Sequence, residues 1–454
     1  MNYQASLAAL SGLGQELHGV KFDLAAIQAI LAPLGNPHLR YPTAIVAGTN
    51  GKGSTSAFLA TILEAAGCRT GLYTSPHLVR PNERIRINGR AISDSDFAAA
   101  FSRVWECVER LQAEGALAQR PSFFEFLTAA GFLYFASHEV DFAVLEVGMG
   151  GRLDATNVTM PRVAVITNID LDHQKFLGQT HAAIAAEKAG VIKPGRPVVS
   201  SVERPEAREV ILRRTHELGA PLIETTTFTE ACHFRTSEGR VVFDLRVGED
   251  SYFNLAPSLA GLFQMNNAIA AVTAAWVLNR GGITIPSQAI SWGLERTSWP
   301  GRLETILRNP LVVLDGAHNP AAACELAKFA REQWAGRRLR LVYASMRDKA
   351  IGEICRILFP LAEAVYLTRP DQPRAATPEE ILSAVSKPTA DVILEDDPVR
   401  ALERALAESA PDDVVLAAGS LFLVGAIKKA QLDGRLDLSG RAAAPVRLAS
   451  APGR

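Results

Sequence analysis

Short runs of β-branched and other apolar residues alternate with helical periodicity over most of the chain. This rhythm predicts parallel sheets covered by helices on both faces, because a strand buried on two sides reads as an unbroken apolar run. In the first half the runs predict strands at Thr43–Ala47, Thr70–Thr74, Phe142–Val147, Val163–Asn168 and Pro197–Ser201, with helices over Ser54–Ala66 and Phe124–Ser137 between them. From Ile223 to Leu255 the pattern switches to alternation around Glu238-Gly239, which predicts an inserted antiparallel hairpin. Trp299-Pro300-Gly301-Arg302 interrupts the rhythm, and a second series follows with strands at Leu311–Leu314, Leu339–Ala344, Ala364–Thr368, Val392–Glu395 and Val414–Ala417. The expected organisation is an N-terminal domain over 1–298, a smaller α/β domain over 299–435, and a mobile tail over 436–454, where apolar periodicity is lost.

Composition narrows the class. At 454 residues, 48% of them hydrophobic, the chain is long enough for two or three domains of roughly 100 to 200 residues each. Its 47 Lys plus Arg balance 48 Asp plus Glu, a net charge of -1, so no field favours nucleic acid or an anionic membrane, and any nucleotide must be held locally. Cys68, Cys107, Cys232, Cys324 and Cys355 lie far apart with no C-x-x-C pair, which indicates neither a disulfide framework nor a structural zinc and fits a reducing compartment. The N-terminus lacks the basic-then-apolar order of a secretory signal, and no stretch reaches the roughly 18 apolar residues of a spanning helix. A soluble, cytoplasmic protein is expected.

The first predicted strand runs into Gly48-Thr49-Asn50-Gly51-Lys52-Gly53-Ser54-Thr55 at the entrance to a helix. Strand, glycine loop and helix form the context of a phosphate-binding loop, in which glycines let backbone N–H groups approach phosphate oxygens and the helix N-terminus adds partial positive charge. Lys52 is placed to reach the β and γ phosphates, and Ser54 or Thr55 to offer a hydroxyl to Mg²⁺. The loop is a variant: the generic pattern has glycine where Val46 stands and Ser or Thr where Gly53 stands.

Ligands of open parallel sheets bind beyond the carboxyl ends of strands, so the polar residues there carry the next clues. Glu146 ends an apolar run, where an unpaired carboxylate is costly and either a bound cation or a core arginine would satisfy it. Asp170, Asp172 and His173 follow the strand ending near Asn168, a set that suits a divalent metal or an ordinary hydrogen-bonded surface. Lys188, in Glu187-Lys188-Ala189-Gly190, reads from composition alone as an exposed lysine.

Gly48 to Ser54, Thr74-Ser75-Pro76-His77-Leu78, Asn82-Glu83-Arg84-Ile85, the segment EVGMGGRLDATN from Glu146 to Asn157, Asp172-His173, Glu187 to Gly190, Pro300-Gly301-Arg302 and Asp315-Gly316-Ala317-His318-Asn319-Pro320 together resemble the folylpolyglutamate synthase and dihydrofolate synthase family of the Mur ligase superfamily. The resemblance runs in the family's order from about residue 1 to about residue 430. It implies an N-terminal P-loop ATPase domain and a Rossmann-like C-terminal domain that close on nucleotide and substrate.

Residue by residue, the resemblance makes Lys52 the phosphate-binding lysine; Gly48, Thr49, Asn50, Gly51, Gly53 and Thr55 the rest of the loop; and Ser54, Glu146 and His173 ligands of Mg²⁺, with two ions expected. Lys188 takes the place of a lysine carbamylated into a carboxylate-like metal ligand. Asn267, Arg302, Asp315 and His318 are implied as nucleotide contacts. Ser75, Pro76, His77 and Arg84 fall in the family's mobile loop, and Phe124, Asp154 and Ala155 where the pterin is contacted. His77 and Leu78 favour the bifunctional type, whereas Arg347 stands where the family often has another residue. The implied reaction joins L-glutamate to reduced folate or dihydropteroate through an acyl phosphate made with ATP, in a monomer. The competing readings are a Mur-type ligase of peptidoglycan precursors, against which the EVGMGGRLDATN and SPHLVRPNERI segments argue, and an ATP-binding regulatory protein that ligates nothing.

Overall fold

The computed structural model describes residues 1–14, 23–117, 119–237, 239–385 and 390–438. Glu238 of the expected hairpin and residues 439–454 of the expected tail lie outside the described residues. The chain divides into two compact units, Met1–Trp299 and a second that begins at Pro300.

The first unit is built on strands β1 (Thr43–Ala47), β2 (Thr70–Tyr73), β3 (Ile85–Ile87), β4 (Arg90–Ala91), β5 (Phe142–Glu146), β6 (Val163–Ile166), β7 (Val198–Ser200) and β8 (Leu222–Glu224). Among the described residues they form one sheet in the order β4-β3-β2-β5-β1-β6-β7-β8. All neighbours from β2 to β8 are parallel, while β3 and β4 add an antiparallel edge. Every residue of β1 is buried. Ala44 and Val46 face a core shared with the helices Lys52–Ala65 and Leu262–Arg280, and Ile45 and Ala47 face a second core on the opposite side. Both faces being covered is why β1 reads as an uninterrupted apolar run. The chain leaves β1 for β2 on one side and reaches β6 on the other, so the crevice beyond the end of β1 is where this topology places a ligand.

The break in rhythm becomes a three-stranded antiparallel sheet of β9 (Thr229–Ser237), β10 (Arg240–Val247) and β11 (Asp250–Leu255), with β10 in the middle. Val241, Phe243, Leu245 and Val247 of β10 turn into the core of the P-loop helix, and the alternate residues turn outward.

The second unit carries β12 (Glu304–Arg308), β13 (Leu311–Leu314), β14 (Leu339–Tyr343), β15 (Ala364–Leu367), β16 (Asp391–Leu394) and β17 (Val414–Ala418), in the order β12-β13-β17-β14-β15-β16. Only the β12–β13 pair is antiparallel among the described strands. At the N-terminal end of this sheet Arg340, 6% exposed, donates to Asp413 at 2.7 Å, and Arg338 forks onto the same carboxylate at 3.0 and 3.1 Å.

Candidate functional site

The turn from β1 into the helix Lys52–Ala65 is made by residues with little room for a side chain. A Cβ on Gly48 would lie 1.9 Å from Thr167 Oγ1, and one on Gly51 would lie 2.1 Å from Asn267 Oδ1, with Gly51 also at φ +82. Glycine alone permits that left-handed turn at such close approach. The N-cap of this helix is Gly51, which has no side chain to cap it, so the partial positive charge of the helix N-terminus faces the loop. Behind the loop, Asn50 N–H donates to Asn168 Oδ1 at 2.7 Å and Thr49 N–H to the Asn168 carbonyl at 2.9 Å. The Thr49 hydroxyl donates to the Asp170 carbonyl at 3.0 Å and lies 2.9 Å from the Asp170 N–H, while Thr167 Oγ1 donates to the Asn50 carbonyl at 2.6 Å. The segment after β6 thus holds the loop through five hydrogen bonds.

Lys52 Nζ donates to the carbonyls of Gly48 and Thr49, both at 3.1 Å. Lys188, at the end of the helix His181–Lys188, donates to the same Gly48 carbonyl at 2.7 Å and is 4% exposed. Two lysine amino groups therefore meet at one carbonyl oxygen. Burial pushes the Lys188 pKa well below that of a free lysine, and the charge of Lys52 pushes it the same way, against the opposing pull of Asp172 and Asp154. The composition-based expectation that Lys188 is exposed is thereby overturned: the glycines that follow β5 let its helix close onto the loop. A Cβ on Gly151 would sit 2.8 Å from the Lys188 carbonyl, and one on Gly190 2.3 Å from Arg152. Arg152 N–H donates to the Glu187 carbonyl, and Asn157 Nδ2 bonds the carbonyls of both Arg152 and Gly190.

Glu146 ends β5 beside Val46, is 4% exposed, and accepts from Ser75 N–H at 3.1 Å. Ser54 and Thr55 are buried in the first turn of the P-loop helix, with Thr55 Oγ1 3.4 Å from the Asn267 carbonyl. His173 follows Asp172 in a left-handed conformation, φ +51, with Nε2 3.9 Å from Asp172 Oδ2. Asp154 is buried beneath this end of the sheet: Oδ2 accepts from Gly148 and Met149 N–H, and Oδ1 from Thr156 N–H and hydroxyl. Burial raises its pKa and those four donors pull it back. The Phe124 ring stands against Gly148 and Asp154, and Ala155 is buried at the start of the next turn.

The loop holding Ser75, Pro76 and His77 is organised by Glu83, whose carboxylate accepts the N–H groups of Leu78, Val79 and Arg80. Arg84 is 2% exposed, donates from Nε to His77 Nδ1 at 2.8 Å, and lies 5.2 Å over the Phe123 ring. Within the second unit, Asp315 accepts from Leu303 and Ala317 N–H at 2.8 Å each, and burial raises its pKa against the pull of Arg302. His318 Nδ1 bonds the Gly316 carbonyl, and the Arg302 guanidinium is packed against Gly316.

The structure thus gathers Lys52, Lys188 and the glycine loop at one point, places Glu146 beside Ser75, and places Asp154 beside Phe124. Asn267 meets the loop through Gly51. Arg302, Asp315 and His318 form a cluster of their own. Sequence reasoning passed over Asn168 and Thr167, which brace the loop, and Trp299, whose indole leaves no space for a side chain on Gly53. A polar pair directly after β6 was the available signal for the first two; nothing local signals Trp299.

Comparison with known proteins follows the same lines. Residues 46–275 match the Mur ligase middle domain, and residues 301–421 match the Mur ligase, glutamate ligase domain. A Bacillus subtilis protein named dihydrofolate synthase/folylpolyglutamate synthase is 36% identical over 92% of this chain and 96% of its own length. The solved structure of Mycobacterium tuberculosis folylpolyglutamate synthase complexed with ADP and AMPPCP superposes with a TM-score of 0.87 at 32% identity, covering 96% of this chain and 99% of that one. Escherichia coli FolC in complex with DHPP and ADP gives 0.85 at 29% identity, covering 96% and 98%. With a glycine loop, two lysines at its mouth and this similarity along nearly the whole chain, the protein belongs to the folylpolyglutamate synthase/dihydrofolate synthase family of ATP-dependent Mur ligases.

Proposed function

We propose that this chain joins L-glutamate to reduced folates and also to dihydropteroate, using ATP to convert the acceptor carboxylate into an acyl phosphate. The observation that carries this reading is the meeting of Lys52 and Lys188 at the Gly48 carbonyl, at the N-terminus of the P-loop helix. A carboxylate resists attack by an amine, and transfer of the γ-phosphoryl group of ATP supplies the leaving group. In such a transfer the protein contributes positioning and charge neutralisation more than covalent chemistry. Lys52 and the loop N–H groups hold the phosphate chain, and the glutamate amine then attacks the acyl carbon with loss of phosphate. Asp154, Phe124 and Ala155 are assigned to the pterin, a flat ring edged with donors and acceptors, and Ser75, Pro76, His77 and Arg84 to the mobile loop on the substrate side. Asn267, Arg302, Asp315 and His318 are assigned to the nucleotide.

The donors near the loop fit Mg²⁺, a hard cation that takes oxygen ligands: the buried Glu146 carboxylate and the Ser54 hydroxyl supply two, with His173 assigned beside them. A lysine amine is not such a ligand, and Lys188 fits the set as a carbamate, whose formation requires the neutral amine that its burial favours. When bound, Mg²⁺ neutralises charge on the phosphates. We assign the protein to the cytoplasm as a monomer; among the described residues no helix is long and apolar enough to cross a membrane.

The test is ATP-dependent phosphate release with Mg²⁺ and L-glutamate, comparing dihydropteroate, tetrahydrofolate and a UDP-muramoyl peptide as acceptors, with products identified by mass. Release with the first two is expected. Release with tetrahydrofolate alone restricts the activity to chain extension, and release with the muramoyl acceptor alone, or with none, overturns the proposal.

A further inference from the structure

The outward face of the β9-β10-β11 sheet holds a group of side chains that the ligase chemistry does not use. Cys232, His233 and Asp244 present a sulfur, a ring nitrogen and a carboxylate oxygen within 4.8 Å of one another. Sγ lies 3.6 Å from His233 Nδ1, which in turn lies 2.8 Å from Asp244 Oδ2.

The backbone works against this arrangement unless the strand is deformed. Consecutive strand residues point to opposite faces, so Cys232 and His233 should part. They do not, because His233 takes φ +53 where the β9–β10 register shifts between Val242 and Asp244. A side chain at positive φ is uncommon outside glycine, and a bulge there re-aims it. Cys232 is itself the cross-strand partner of Asp244, so the bulge adds the imidazole to the side already holding thiol and carboxylate. A second bulge approaches from the other flank. Asn254 takes φ +52 where the β10–β11 register shifts, and its N–H donates to Asp244 Oδ1 at 2.7 Å. The carboxylate is thereby oriented by one oxygen and leaves the other facing the cysteine–histidine pair. Asn254 Oδ1 accepts from Arg235, which ties that guanidinium to the far bulge. A simple cross-strand His–Asp pair requires neither deformation.

We propose that Cys232, His233 and Asp244 bind one Zn²⁺ ion, with water as the fourth ligand. With Zn–S about 2.3 Å and Zn–N about 2.0 Å, a tetrahedral site has a sulfur–nitrogen edge of roughly 3.5 Å, which the 3.6 Å separation meets. The Nδ1–Oδ2 contact opens by about 0.5 Å as its hydrogen bond is replaced by two metal bonds. Cys232 loses its proton to solvent on binding, and thiolate and carboxylate together balance the charge of the ion. Sulfur and imidazole donors select zinc over magnesium, so the site does not draw on the Mg²⁺ that the ligase reaction needs.

The experiment is a Co²⁺ titration of the metal-stripped full-length protein, followed by Zn²⁺ competition. One equivalent of Co²⁺ is expected to produce tetrahedral d–d bands and a sulfur-to-cobalt charge-transfer band, both erased by Zn²⁺. C232S should lose the charge-transfer band, H233A and D244N should weaken Co²⁺ binding at least tenfold, and C324S, which removes an exposed thiol elsewhere, should change nothing. Retained ATP-dependent turnover shows that C232S is folded, and Zn²⁺ should raise the melting temperature of the wild type but not of C232S. A wild type without the charge-transfer band, a band that survives C232S, or one that vanishes in C324S overturns the site.

Discussion

Lys188 in the first unit and Arg340 in the second are both buried long basic side chains, and the two are satisfied in opposite ways. Arg340, 6% exposed, is bonded to the Asp413 carboxylate, itself forked by Arg338, so its charge faces an opposite charge directly. Lys188, 4% exposed, is bonded to a carbonyl that it shares with a second lysine. A buried ion pair is self-contained, and breaking it harms the fold. A buried lysine pressed against another lysine is held towards its neutral, nucleophilic form, open to modification, and such perturbed groups mark working sites. The difference teaches that burial of charge alone does not identify function; the sign and type of the nearest partner does.

The comparison breaks most sharply at the lysines. Lys52→Ala should lower ATP-dependent ligation by about 10³-fold or more, since charge-stabilising groups contribute on that scale, with the melting temperature nearly unchanged. Lys188→Gln should cost at least about 10²-fold in turnover while leaving stability equal or higher, because it removes a buried amine whose charged form burial and Lys52 disfavour. Asp413→Ala should show the reverse. It strands Arg340 and should destabilise the protein by about 3–5 kcal/mol in denaturant, with kcat at low temperature preserved. If Lys188→Gln unfolds the protein while Asp413→Ala abolishes turnover, the distinction drawn here is wrong.

A smaller effect concerns a buried group with no charge partner. Burial holds His38 neutral, with its pKa lowered to about 4 from 6.5, and its Nδ1 has no hydrogen-bond partner among the described residues. Because the folded pKa is the lower one, the unfolded chain takes up the proton first. Stability is complete above pH 6.5 and falls between there and about 4, by at most about 3–4 kcal/mol for the 6.5 - 4 difference. His38→Phe should flatten that part of the pH-stability curve, and an unchanged slope would remove His38 as its cause.

How far the structure could be read in advance depended on how locally each feature is determined. β1 and β13 match their apolar runs end to end, and β5 and β6 stop one or two residues before the runs do. The overrun has a reason: Val147 and Thr167 still donate to β1 carbonyls after the regular pairing ends. The edge strands β4 and β12, and the three-residue β3 beside β4, escaped notice, since short strands at a sheet margin carry too few apolar residues to form a run. The P-loop was legible because one contiguous segment encodes strand, glycines, lysine and helix. The burial of Lys188 was not, because it depends on Gly151 and Gly190 admitting a distant helix. The bulges at His233 and Asn254 were likewise hidden, being settled by cross-strand partners rather than by their own neighbours in the chain.

The interlocking of Gly151 with the Lys188 carbonyl and of Gly190 with Arg152 has an evolutionary consequence. Each glycine's smallness has value only while the opposing segment stays close, so neither can drift to alanine independently of the other surface. The segment after β5 and the helix that ends at Lys188 are therefore inherited as a pair. A hybrid enzyme that takes one from this chain and the other from a relative with bulkier residues at these positions would separate the two lysines before any catalytic residue had changed.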